Sequence, residues 1–150
     1  MDKKATKKVI NNMLVYTFHE ILDLEERAII TEEFRDISNN DMHVIEAIGL
    51  DQEGSRMSDV AKKLNITVGA LTTSMNALVK KKYVERQRCD SDRRVVRVKL
   101  TDKGIAAYKH HEKFHDEMTD ALMHGLTDEQ IAAWVSTIDI LTAFFASQRK

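Results

Sequence analysis

The sequence lacks proline altogether, and it contains one cysteine and five glycines in 150 residues. Because proline is tolerated poorly inside helices, its absence favours a mostly helical chain. A single cysteine excludes a disulfide within the chain and suits a reducing compartment. The sequence contains neither a glycine-rich phosphate loop nor a GxSxG nucleophile motif, so it offers little support for an enzyme.

Long apolar segments are also scarce. No apolar run approaches the roughly 20 residues of a membrane-spanning helix, and the first twelve residues, MDKKATKKVINN, lack the apolar core of a signal peptide. We therefore expect a cytoplasmic protein with no membrane partner. A chain of 150 residues, 43% of them hydrophobic, suffices for about one domain with its own core, so residues 1–150 are predicted to form a single domain.

The segment 57–101 changes from helical to strand-like patterning within a short stretch. A first helix is predicted after Ser58, whose hydroxyl can cap a helix start, and a turn at 65–67 separates it from a second helix at about 68–81. Alternating apolar and charged residues then predict two short strands around a basic hairpin tip. This order is typical of a winged helix-turn-helix, so the predicted fold class is mainly α with a small β wing.

Positive charge is concentrated on the same segment. Residues 56–103 contain thirteen Lys or Arg and five Asp or Glu, a net charge of +8, whereas the rest of the chain contains ten and nineteen, a net charge of −9. Binding to DNA phosphates requires such a concentration. A winged helix that binds protein is the main alternative, but such modules usually lose the basic wing.

The candidate DNA contacts fall into three groups. Small and amide-bearing residues on the second helix suit close approach to base edges in the major groove: Ala70, Thr72, Thr73 and Asn76. Hydroxyl and cationic residues around them suit phosphate contacts: Ser58, Lys80, Arg86, Arg88 and Arg97. At the hairpin tip, Arg93 and Arg94 are candidates for minor-groove insertion, because a narrow groove concentrates negative potential.

Apolar stripes predict helices on both sides of this segment. One is expected at about 5–27, a short helix or turn at 32–37, and another helix at about 40–50. After the hairpin, Thr101 is a natural cap for a helix to about His124, and a last helix follows at about 128–147. The terminal helices have more apolar surface than a small module needs for itself. Either they mediate dimerisation, or they fold over the core of a monomer.

The run DRRVVRVKLTDKG, directly after the helix-turn-helix, resembles the wing signature of the MarR family of bacterial transcriptional regulators. FRDISNNDMHVIEAIG, LTTSMNAL and KFHDEM are similar to segments of that family's fatty-acid-synthesis repressors. The resemblance implies a homodimer joined through helices 5–27 and 101–148, and a pseudo-palindromic operator in double-stranded DNA. It also implies that Asp92 orients Arg94, that no resident cofactor is needed, and that long-chain acyl groups on acyl carrier protein act as co-repressor.

An effector pocket is expected near the dimerisation helices. Its apolar candidates are Phe18, Met42, Phe114 and Met118, and its polar candidates are His43, His111 and His115. His111 and His115 lie one helical turn apart, so a zinc-responsive regulator is an alternative. We assign no metal, because the single cysteine, Cys89, lies at the base of the hairpin. Redox sensing through Cys89 is disfavoured since no second cysteine can resolve it.

Overall fold

The chain is mostly helical, with a small sheet in its middle. The computed structural model describes residues 2–88 and 96–148. In chain order its elements are α1 (Lys3–Asn12), a π-helical turn (Met13–Thr17), α2 (Phe18–Ile29), α3 (Asn39–Ile48), β1 (Ser55–Arg56), α4 (Met57–Leu64), α5 (Val68–Lys80), β2 (Val84–Arg88), β3 (Val96–Leu100), α6 (Asp102–Gly125) and α7 (Asp128–Gln148). The predicted fold class is confirmed. The chain divides into two compact units, Met1–Glu112 and Lys113–Lys150.

The N-terminal helix differs in detail from its prediction at about 5–27. It begins at Lys3 and ends at Ile29, and the π-helical turn interrupts it. Between α2 and α3 the chain forms turns and bends, so the turn predicted at 32–37 is confirmed and the short helix is not. Phe34 and Ile37 are both only 4% exposed in this segment. The burial of these two side chains holds the connection against the core without helical hydrogen bonds.

The helix-turn-helix consists of α4 and α5. Asn65 ends α4 in the left-handed conformation with φ 55°, and Thr67 then caps α5 by accepting a hydrogen bond from the backbone N–H of Ala70 at 3.1 Å. The capping role predicted for Ser58 was wrong. Arg56 is the N-cap of α4, without a side-chain hydrogen bond, because β1 runs directly into the helix and Ser58 already lies in its first turn.

The sheet is antiparallel, with strand order β1, β3, β2. The hairpin formed by β2 and β3 matches the prediction, and its register places Arg86 opposite Val98 and Glu85 opposite Lys99. Strand β1 was not predicted, because two residues are too short to show an alternating pattern. Ser55 of this strand pairs with Val98 and thereby attaches the start of α4 to the sheet.

The core of the first unit lies between α3, α4, α5 and the sheet. Its fully buried side chains include Ile45, Val60, Leu71, Met75, Leu78, Tyr83 and Val98, each 0% exposed. The stripe predicted on the second helix, Leu71, Met75 and Leu78, is therefore the face of α5 that enters the core. Burial of each such side chain contributes roughly 1.5–3 kcal/mol, so α5 is firmly held and its opposite face is presented to solvent.

Gly104 allows α6 to approach strand β2 closely. Thr101 caps α6 as predicted by accepting a hydrogen bond from the Gly104 N–H at 3.2 Å. A Cβ atom at Gly104 would lie only 2.1 Å from the carbonyl oxygen of Tyr83.

We expect Gly104→Ala to lower the free energy of unfolding by about 1–3 kcal/mol in urea denaturation, because the backbones at residues 104 and 83 must move apart. Gly125→Ala, on the same helix with nothing within 4 Å, is the control and should not destabilise.

The helix α7 of the second unit is strongly apolar and lies on the surface of that unit. None of its residues is buried, and Ile140 is 71% exposed. By length and composition this helix could cross a membrane, with a mean hydropathy of 1.3. The expectation that no apolar run reaches this length was therefore wrong. Asp139 is the only charged residue between Ile131 and Gln148, and scattered polar residues such as Ser136 concealed the run in the sequence.

Candidate nucleic-acid interface

One face of α5 brings together the residues predicted to approach DNA bases. Because Leu71, Met75 and Leu78 point into the core, the helical repeat of 3.6 residues turns the opposite arc towards solvent. This arc includes Ala70, Thr72, Thr73, Asn76 and Lys80, all of them exposed. The structure thus places four predicted base-reading residues and one predicted phosphate contact on a single surface.

The hydrogen-bonding capacity of this surface is already partly used. Thr72 donates its hydroxyl hydrogen to the carbonyl oxygen of Val68 at 2.7 Å, so its oxygen remains available as an acceptor. Asn76 accepts a hydrogen bond at Oδ1 from Nη2 of Arg86 at 2.7 Å. Arg86 was predicted to contact phosphate, and its contact with a candidate base reader was not foreseen.

The remaining candidates for DNA contacts lie on α4 and on the hairpin. Ser58 is exposed in the first turn of α4. Arg97, on β3, donates from Nη1 to the carbonyl oxygen of Gly54 at 2.7 Å, so part of its guanidinium is occupied by the loop before β1. Arg88 ends β2. Asp92, Arg93 and Arg94, together with Cys89, lie outside the residues that the structure describes.

Two lysines of the basic segment pair with acids that lie outside it. Lys81 Nζ lies 2.8 Å from Oδ2 of Asp41. Lys103 Nζ lies 3.4 Å from Oδ1 of Asp36 and 3.9 Å from the centre of the Tyr83 ring. Through these ion pairs the segment before the hairpin contacts α3, and the start of α6 contacts the segment before α3. The net charge of the segment therefore overstates the positive charge available to phosphates.

The contact between Tyr83 and Asp36 was not predicted from the sequence. The Tyr83 hydroxyl donates to Oδ1 of Asp36 at 2.7 Å. That hydrogen bond, supported by Lys103, lowers the pKa of Asp36, while burial and the neighbouring carboxylate raise the pKa of Tyr83. The two residues are 47 positions apart, so no local pattern pairs them. The hydroxyl of Tyr83 thus remains protonated and holds the hairpin against the segment before α3.

One histidine and two glutamates join three helices where the effector pocket was predicted. His111, on α6, is 1% exposed, and its Nε2 lies 2.8 Å from Oε1 of Glu25 on α2 while its Nδ1 lies 3.0 Å from Oε1 of Glu46 on α3. Burial disfavours the imidazolium, but hydrogen bonds to Glu46 and Glu25 outweigh it and raise the pKa of His111. His43 Nε2 lies 3.7 Å from the same carboxylate of Glu25.

The sequence held one signal for this cluster. Glu25 lies four residues from Ile21 and four from Ile29, on the apolar side of α2, where a carboxylate needs a charged partner. Of the other pocket candidates in this unit, Met42 is buried in the core at 1% exposure, whereas Phe18 is 46% exposed. Phe114, His115 and Met118 are partly buried residues of α6 beyond Glu112, and their grouping with the others stays a prediction.

Comparisons with known proteins agree with a DNA-binding surface. A family model described as a winged helix DNA-binding domain matches residues 37–104. The crystal structure of Streptococcus pneumoniae FabT in complex with DNA is 35% identical, covering 95% of this chain and 99% of that one with a TM-score of 0.87. The S. aureus MepR–DNA complex, 24% identical over 85% of this chain and 95% of that one, shares the fold with a TM-score of 0.67.

A relative known from its sequence is similar over a shorter stretch. YwhA, an uncharacterised HTH-type transcriptional regulator of Bacillus subtilis, is 27% identical over 82 residues, which make up 55% of this chain. The match spans 59% of that relative's own length.

Proposed function

This chain belongs to the MarR family of transcriptional regulators, and we propose that it is a homodimeric cytoplasmic repressor of fatty-acid synthesis genes. The observation that supports the proposal most is the exposed polar face of α5 in a fold that superposes on DNA-bound FabT over 95% of the chain. In this proposal α5 enters the major groove of double-stranded DNA, and its exposed residues read a pseudo-palindromic operator.

The wing and the helix ends position α5 on the duplex. Ser58, Lys80, Arg88 and Arg97 contact phosphates, which fixes the register of the protein without reading sequence. Arg93 and Arg94 enter the neighbouring minor groove, where their positive charge is attracted by the negative potential. The concentration of positive charge between residues 56 and 103 supports this arrangement.

Exposed apolar surface on the terminal helices supports a dimer. On the segment from α1 to α2 the large exposed apolar residues are Val9, Ile10, Met13, Val15, Tyr16, Phe18, Leu22 and Leu24, and on α7 they are Trp134, Val135, Ile138, Ile140, Phe144 and Phe145. Monomeric soluble proteins rarely expose contiguous apolar patches of more than a few hundred Å². A second copy, related by a two-fold axis, would cover most of these residues and present two copies of α5 to two operator half-sites.

The proposed co-repressor is a long acyl chain carried by acyl carrier protein. Each buried methylene of such a chain contributes about 0.8 kcal/mol, so longer chains bind more tightly. The chain strengthens DNA binding only if it favours the DNA-bound conformation of the dimer over the free one. This part of the proposal depends on the similarity to FabT and on the pocket expected from the sequence.

The test is a titration of operator DNA in the presence of acyl carrier protein loaded with chains of increasing length. We expect operator affinity to increase with chain length and to be unaffected by carrier protein without an acyl group. Met118→Trp, which enlarges a predicted pocket residue, should remove the enhancement. Operator affinity that is indifferent to every chain length would contradict the co-repressor and leave the DNA-binding function standing.

A zinc-responsive regulator is the second candidate, because His111 and His115 lie one helical turn apart on α6, and His43 and Glu25 also offer side chains of the kind that bind zinc. The geometry of His111 argues against it. Both ring nitrogens lie within 3.0 Å of carboxylate oxygens, as expected for an imidazolium that donates twice and has no lone pair for a metal. In the same titration, an operator affinity that responds to Zn²⁺ and to no acyl chain would favour the metal-responsive function instead.

A further inference from the structure

The hydrogen bond between Asn76 and Arg86 joins the exposed face of α5 to the wing. Nη2 of Arg86 donates to Oδ1 of Asn76 at 2.7 Å, and both side chains are exposed. Because side chains alternate along a strand, Arg86 lies on the same face of β2 as Val84, which is 2% exposed and faces the core. The strand therefore directs Arg86 towards α5.

The connection between α5 and β2 holds the two residues in place. The N–H of Tyr83 donates to the carbonyl oxygen of Leu78 at 3.0 Å, so the start of the strand is hydrogen-bonded to the last turn of the helix. Leu78 and Tyr83 are both 0% exposed. With their backbones fixed by this packing, Asn76 and Arg86 need little side-chain rearrangement to remain in contact.

This bond biases the hydrogen bonds that Asn76 can make to a base. An asparagine that reads adenine donates from Nδ2 to N7 and accepts at Oδ1 from N6. In this protein one lone pair of Oδ1 accepts from the Arg86 guanidinium, and the positive charge beside it disfavours a second donor such as the amino group of adenine. The amide hydrogens of Asn76 and the remaining N–H groups of Arg86 therefore form a surface on which donors outnumber acceptors.

A base edge that offers two neighbouring acceptors matches such a surface. In the major groove guanine presents N7 and O6, whereas adenine presents one acceptor and one donor. We propose that Arg86 is a positioning residue that holds Asn76 as a hydrogen-bond donor, so that the pair selects guanine over adenine at one position of each operator half-site. This inference rests on the proposed binding of α5 in the major groove and names the base preference of that site.

The experiment is selection of bound sequences from a pool of randomised DNA duplexes, using the full-length protein, followed by sequencing. The wild-type protein should enrich guanine over adenine at one position per half-site. Arg86→Ala should shift the ratio of guanine to adenine at that position towards adenine, on the order of tenfold, since a bidentate base contact discriminates by about 1–3 kcal/mol. Arg86→Lys, which retains a charged donor, should restore part of the preference for guanine.

Two further variants separate positioning from phosphate binding. Asn76→Ala should abolish the preference at the same position, and Arg86→Ala should then have no additional effect there. Lys80→Ala should reduce affinity for all sequences alike and flatten the dependence of log affinity on log salt by about one unit, as expected for one lost phosphate contact. Arg86 is exposed, and circular dichroism of each variant checks that the fold is retained.

The outcomes distinguish the inference from the function on which it rests. If Arg86→Ala weakens binding uniformly, as Lys80→Ala does, with base preferences unchanged, Arg86 is a phosphate contact and the inference is overturned. If the wild-type protein enriches no sequence, sequence-specific DNA binding itself is refuted, and the inference fails with it. Because selection from random DNA needs no target gene, the result does not depend on whether the regulated genes are those of fatty-acid synthesis.

Discussion

Replacing His111 with alanine is expected to lower the free energy of unfolding by about 3–5 kcal/mol near pH 6. The substitution removes the contact at 2.8 Å from the buried carboxylate of Glu25, whose side chain is only 5% exposed, and leaves it the more distant His43 at 3.7 Å. It also removes the contact with Glu46 that joins α6 to α3. Breaking a buried charge pair costs far more than losing a contact on the surface, which makes this one of the two largest effects expected here.

The stability lost in His111→Ala should decrease as the pH rises. Because the pKa of His111 in the folded protein is raised above its ordinary value of 6.5, the imidazolium stabilises the fold fully below pH 6.5. This contribution is lost as pH rises through the folded pKa. The difference between wild type and His111→Ala in urea denaturation should therefore be greatest near pH 6 and smaller at pH 9.

A matched variant on α2 controls for a general effect of losing a histidine. His19→Ala removes an imidazole whose side chain is 73% exposed and lies 3.8 Å from Asp23. His19→Ala should change the free energy of unfolding by no more than about 0.5 kcal/mol at every pH, as do most surface substitutions. A difference for His111→Ala that is equally large at pH 6 and pH 9 would show that folding does not raise the pKa of His111.

Ile138→Asp is expected to convert the proposed dimer into monomers and to lower operator affinity on the order of 100-fold or more, because two linked half-site contacts become one. Ile138 lies on the apolar stripe of α7 with Trp134 and Leu141, and it is 41% exposed in the single chain. An aspartate buried in an apolar interface without a partner would disfavour association strongly. Sedimentation velocity and titration of operator DNA measure the two effects.

Ser136→Asp is the control for this variant, since it introduces the same charge on the opposite side of α7. It should leave the sedimentation coefficient and the operator affinity close to those of the wild type. The proposed interface would be refuted if Ile138→Asp remained dimeric, or if the wild-type protein were itself a monomer. Binding to a DNA duplex with a single half-site should be similar for Ile138→Asp and the wild type, because α5 is untouched.

The sequence predicted the DNA-binding face better than the contacts made on it. The stripe of Leu71, Met75 and Leu78 indicated which side of α5 is buried, and so located Asn76 on the exposed side. It did not indicate that Asn76 contacts Arg86, ten residues further along, because that contact depends on how closely the strand packs against the helix. The capping role predicted for Ser58 was wrong for a similar reason. Strand β1 ends at Arg56, and α4 begins at Met57, earlier than the apolar pattern indicated.

What the sequence by itself determined is the succession of helix, turn, helix and hairpin, together with the concentration of positive charge on it. These features depend on neighbours in the chain: periodic apolar residues, the caps at Thr67 and Thr101, and alternation along the strands. Only the tertiary structure decided the pairing of His111 with Glu25, 86 residues away, and of Tyr83 with Asp36, 47 residues away. Such partners are selected by the packing of whole helices, because burial forces each polar group to find a partner wherever the fold brings one within reach.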